Sequence, residues 1–128
     1  MATARVPTRR DRGDASTLVL VLMAPIFVVL LFAGWQAALW SHARAELRAV
    51  ARDTAAMVAR SRSDPADAAA AARAAIGGID VRDPRVDVSV ANGVVVVAVV
   101  ARAPGIIRGT AAPVTVTVAM PLEEWSRL

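Results

Sequence analysis

LVLVLMAPIFVVLLF, residues 18–32, carries no polar side chain, and no charged residue occurs from Ala15 to Trp40. A helix rises about 1.5 Å per residue, so about 20 residues cross a hydrocarbon core of about 30 Å. The run and its flanks meet that length. A cleavable secretory signal has a shorter apolar region, roughly 7–15 residues, closed by a small-residue cleavage site. Here the run passes straight into Trp35, Trp40 and an amphipathic helical pattern, so it reads as a retained transmembrane helix. Pro25 removes one backbone donor inside it and predicts a kink or loosened turn rather than a break. Ala15, Ala24, Ala33 and Gly34 are small enough to let a neighbouring helix approach closely. Trp35 and Trp40 stand at the outer end, where an indole prefers the headgroup layer; ordinary packing of the two rings is the alternative.

Upstream, Arg5, Arg9, Arg10 and Arg12 with Asp11 and Asp14 form a short polar segment containing Pro7 and Gly13, a composition that does not fold alone. Arg44, Arg48 and Arg52 follow the span almost as densely, so the positive-inside rule places the N-terminus inside by a narrow margin. The segments expected are a basic cytoplasmic leader over residues 1–13, a transmembrane helix over 14–41, extracytoplasmic helices over 42–83 and a small antiparallel β region over 84–128.

In SHARAELRAVARDTAAMVARSR, residues 41–62, Leu47, Val50, Thr54, Met57 and Val58 recur at helical spacing with charges on other faces. The helix should continue beyond the span. Ser63, Asp64 and Pro65 stop it and start a second, Ala-rich helix that ends at Gly77 and Gly78 and offers little to bury. The period then changes. Val86, Val88 and Val90 alternate with polar residues, Asn92-Gly93 signals a two-residue hairpin, and Val94–Val100 reads as the return strand. Pro104 and Gly105 interrupt the chain before Val114, Val116 and Val118 mark a third strand, closed by Pro121. Three strands need a covering layer, and residues 44–62 can supply it. The expected class is α+β: a long N-terminal transmembrane helix extending into a small domain with a three-stranded antiparallel sheet.

Composition narrows function. The chain is 56% hydrophobic but only 4% aromatic, so Ala and Val supply the apolar character and a large aromatic-walled pocket is not expected. Cysteine is absent, which removes disulfides, thiolate metal sites and Cys nucleophiles. Net charge is +4, but the arginines are dispersed among acids without a clustered patch or nucleic-acid motif, so no nucleic-acid partner is expected. His42 is the one histidine and has no ligand cluster around it. No serine has nucleophile-elbow context, and Asp64, Asp67, Asp80, Asp83 and Asp87 lack calcium-loop spacing. The expectation is a non-enzyme with no metal and no cofactor.

RGDAST followed by LVLVLMAP, then GWQAALWSHARAEL, then AVARDTAA, resembles the TadE-like family of minor pilins or pseudopilins of tight-adherence pilus systems. Arg12-Gly13, Pro25, Gly34 and the Arg-containing helix at Val50–Ala55 carry the resemblance, which spans about residues 12–60; the β region agrees in layout only. It implies a pilin-like architecture, a membrane location with a cytoplasmic N-terminus, other pilin or pseudopilin subunits as partners, and a prepilin peptidase cutting after Gly13 to leave Asp14 first. The fifth position of that mature chain, a Glu in most pilins, is Leu18. In the family that Glu is thought to meet a neighbour's N-terminal amine, offsetting the cost of charges held in an apolar medium. Leu18 cannot do so. Either Asp14 substitutes locally, or the subunit stands outside the filament stack, for instance as its cap, or the chain is not processed. The implied role is assembly or initiation of a Tad-type pilus or secretion filament; the alternative is an unprocessed single-pass scaffold of an envelope complex.

Overall fold

A continuous α-helix, α1 (Arg10–Ser61), is followed by α2 (Pro65–Ile76) and three strands, β1 (Arg82–Ala91), β2 (Val94–Ala103) and β3 (Ala112–Pro121). This is the α+β arrangement expected. The computed structural model describes residues 10–122, with side chains from Ser16 onward. Trp125 and the two glutamates before it lie outside the described residues. The chain divides into two units, residues 1–35 and 36–128. In the first, α1 passes through Pro25 without ending.

In the second unit the strands form an antiparallel meander with β2 in the middle. Asn92 (φ 52°) and Gly93 (φ 74°) both adopt left-handed backbone, and Ala91 pairs with Val94. That is the two-residue hairpin anticipated from Asn-Gly, whose twist matches the strands it joins. Cross-strand rows Val86–Val99–Val116 and Val88–Val97–Val118 align on one face. All three strands extend past their alternating Val positions. The β1 strand reaches back to Arg82 through an irregularity between Arg82 and Arg85, where Asp83 has φ 49° and Pro84 can donate no hydrogen bond.

The core joins the inward Val rows to one face of α1 and one of α2. On α1, Leu47, Thr54 and Val58 are buried as their spacing predicted, Val50 is partly buried, and Met57 faces outward. Ala43, Ala51, Ala55 and Ala59 complete the stripe. The Thr54 hydroxyl is satisfied inside the helix, donating to Val50 O at 2.8 Å.

The α2 helix corrects an expectation, because its Ala-rich face does bury: Ala68, Ala69, Ala72 and Ile76 all enter the core. Small side chains let it lie close to β1, and Arg73 Nη2 donates to Val86 O at 3.2 Å across that contact. Its start follows the sequence signal, with the Asp64 carboxylate accepting from Ala66 N at 2.9 Å and Pro65 in the first turn.

Candidate functional site

The candidate surface is the apolar part of α1. From Leu18 to Phe32 each large apolar side chain is exposed, Leu18 by 63% and Leu31 by 73%. A water-soluble protein rarely exposes so large a contiguous patch, and an all-round apolar helix of this length suits a bilayer or a bundle of such helices. The helix is long and apolar enough to cross a membrane, and none of its apolar window is buried.

The positions singled out from sequence fall on this surface. Ala24, Pro25, Ala33 and Gly34 are all exposed. A Cβ built on Gly34 would meet nothing within 4 Å, so no contact inside the chain requires a glycine there. Gly13 and Asp14 have helical backbone in α1 but otherwise lie outside the described residues. Trp35 is 66% exposed. Trp40 is half-buried against the core and its Nε1 donates to Pro113 O at 3.2 Å, so its polar end is used within the domain.

Sequence reading passed over Gln36, the one amide in the charge-free run. Its Nε2 donates to Pro104 O at 3.5 Å and its Oε1 accepts from Ile106 N at 3.1 Å. Gln36 and Trp40, one helical turn apart, therefore hold both sides of the β2–β3 connection against α1. A polar residue isolated in an apolar run was the available signal, since such a group is retained where a partner satisfies it.

Beyond Trp40 the helix turns basic on one exposed face. The Arg44 guanidinium lies 5.2 Å from the Trp40 ring centroid, a cation–π distance, and Arg48 and Arg52 continue the row at four-residue steps, exposed. His42 is exposed and pairs with Glu46 at 3.3 Å. Among the described residues no group of three His, Asp or Glu side chains could hold a metal ion.

Among the described residues one helix is long and apolar enough to cross a membrane, and a small α+β domain follows it in the chain. Residues 15–56, about a third of the chain, match the family model described as TadE-like protein, so this stretch is similar to the TadE-like family. The match lies inside the span of residues that carry the resemblance, begins one residue past the Gly13–Asp14 junction, and leaves α2 and the strands outside it. No curated protein and no solved structure matches the chain.

Proposed function

We propose that this chain is a non-enzymatic, membrane-anchored pseudopilin that helps assemble or initiate a Tad-type pilus or related secretion filament. Its N-terminus is cytoplasmic and its β domain lies on the other side of the membrane. The observation that carries this reading is that the family match and the exposed apolar helix coincide over residues 18–35. In this reading a prepilin peptidase cuts between Gly13 and Asp14. Other pilin or pseudopilin helices pack along Ala24, Pro25, Ala33 and Gly34, and the β domain makes the subunit-specific contacts. Trp35 rests in the headgroup layer, while Trp40 turns its Nε1–H to the domain.

The test is the N-terminal mass of the protein extracted from its own membrane, with and without the peptidase. A peptidase-dependent start at Asp14 is expected. An intact N-terminus in both strains would overturn the pseudopilin reading and leave an unprocessed single-pass scaffold of an envelope complex, the second reading, which Leu18 favours.

If processing occurs, Leu18 points to a subunit that begins the assembly, where no earlier subunit offers an amine to neutralise. Leu18→Glu should then shift the protein from the start of the filament into its body, read as a rise in its copy number in sheared pili. Unchanged abundance would count against capping.

A further inference from the structure

We propose that the β2–β3 loop, residues 104–111, is a second membrane-contacting element that seats Ile106 and Ile107 in the headgroup layer beside the point where α1 leaves the bilayer. This rests on the reading of α1 as the membrane anchor. The loop's level comes first. It is tied to Gln36 through Pro104 O and Ile106 N, and about 20 helical residues cross the hydrocarbon, so a span that begins at Leu18 ends near residues 36–38. A loop held at Gln36 is thus held at the interface.

Its side chains come second. Ile106 is 40% and Ile107 66% exposed, adjacent near the loop tip. Arg108 follows, and a long basic side chain can keep its guanidinium among lipid phosphates while its stem lies along apolar surface.

The backbone comes third. Unpaired amides and carbonyls resist leaving water, and this loop pairs several of its own. Ile107 N donates to Thr110 Oγ1 at 3.3 Å, and Ile107 O accepts from Thr110 N at 3.1 Å and from Thr110 Oγ1 at 2.7 Å. Ile106 N and Pro104 O are taken by the Gln36 amide. The closure is tight enough to require glycine at 105, where a Cβ would stand 2.7 Å from the Thr110 carbonyl carbon. The loop is therefore preshaped by these bonds, with Ile107 mostly outward and Ile106 partly so. Continuity with the anchor favours lipid over a protein partner as the occupant.

The chain lacks cysteine, so single-cysteine variants report without background. Val28→Cys in the span, Ile107→Cys at the loop tip and Ala119→Cys near the opposite end of the sheet are each labelled with a bimane fluorophore. The full chain is reconstituted in vesicles of phosphatidylcholine and phosphatidylglycerol containing doxyl-labelled lipid. Deep doxyl groups should quench position 28, and shallow ones should quench position 107 several-fold more than position 119. Gln36→Ala should lower quenching at 107 and leave that at 28 unchanged. Quenching at 107 equal to that at 119, with 28 still quenched, would overturn the loop proposal and spare the anchor. Shielding of 107 from aqueous iodide without doxyl quenching would also overturn it, since protein and not lipid would then cover the tip. An unquenched position 28 would remove the anchor itself, and the proposal with it.

Discussion

The two halves of α1 use opposite kinds of apolar residue. Between Leu18 and Phe32 the helix is mostly Leu, Val, Ile and Phe, and those side chains are exposed. Between Ala43 and Ala59 it presents a stripe of Ala43, Leu47, Ala51, Ala55, Val58 and Ala59, buried almost completely. The more hydrophobic half is therefore not the half that builds the protein's core. Large side chains all round a helix suit a medium that contacts every face, whereas a stripe of small ones suits a single neighbour at short range, because only small residues let the backbones draw close. Apolar content alone does not locate a core; the size and angular width of the apolar surface do.

The contrast can be broken or sharpened by placing similar changes in both halves. The largest effect is expected from Leu47→Ala, which empties a fully buried position and should cost about 2–5 kcal/mol of domain stability. Denaturant unfolding of the micelle-solubilised chain, followed by its far-ultraviolet circular dichroism, would measure it. A loss below about 1 kcal/mol would mean that α1 does not depend on this contact.

Ala51→Leu should come next. Position 51 has no exposure, and forcing added methylenes into a packed core costs about 1–3 kcal/mol. If the same unfolding experiment shows Ala51→Leu to be neutral or stabilising, the close-approach account of the alanine stripe fails.

Gly34→Leu separates folding from association. With open space around a Cβ at 34, unfolding should move by less than about 0.5 kcal/mol, while co-purification with partner helices should fall. Retained association would remove Gly34 from the packing face. The smallest effect belongs to Leu30→Ala, exposed by 61%, for which domain unfolding should again stay within about 0.5 kcal/mol. A loss as large as that of Leu47→Ala would show that the apolar half also supports the domain, and the distinction between the halves would collapse.

Much of this architecture was legible in the amino-acid order, because the relevant signals are local. A charge-free apolar run has one economical conformation in a membrane, since a helix pairs all its backbone groups within the segment. Asn92-Gly93 supplies two residues that accept positive φ, so the hairpin and its register follow from the turn. Alternating Val positions name the inward face of β1 and β3 before any partner is known. Asp64-Pro65 places a helix start to the residue.

What the tertiary structure decided is the value of residues whose own chemistry is indifferent. Alanine scores weakly on any apolar pattern, so the stripe on α1 and the buried face of α2 became visible only when sheet and helices were seen to close on them. Gln36 and the loop at residues 104–111 are about 70 positions apart in the chain, and no local periodicity links an amide on a helix to the backbone of a distant turn. Trp40, which the sequence placed in a headgroup layer with packing as the alternative, has its indole N–H taken by the carbonyl of Pro113. Backbone conformation and the apolar pattern are set over a few residues and can be read there, whereas close approach and long-range hydrogen bonding are properties of pairs and exist only once the chain has folded.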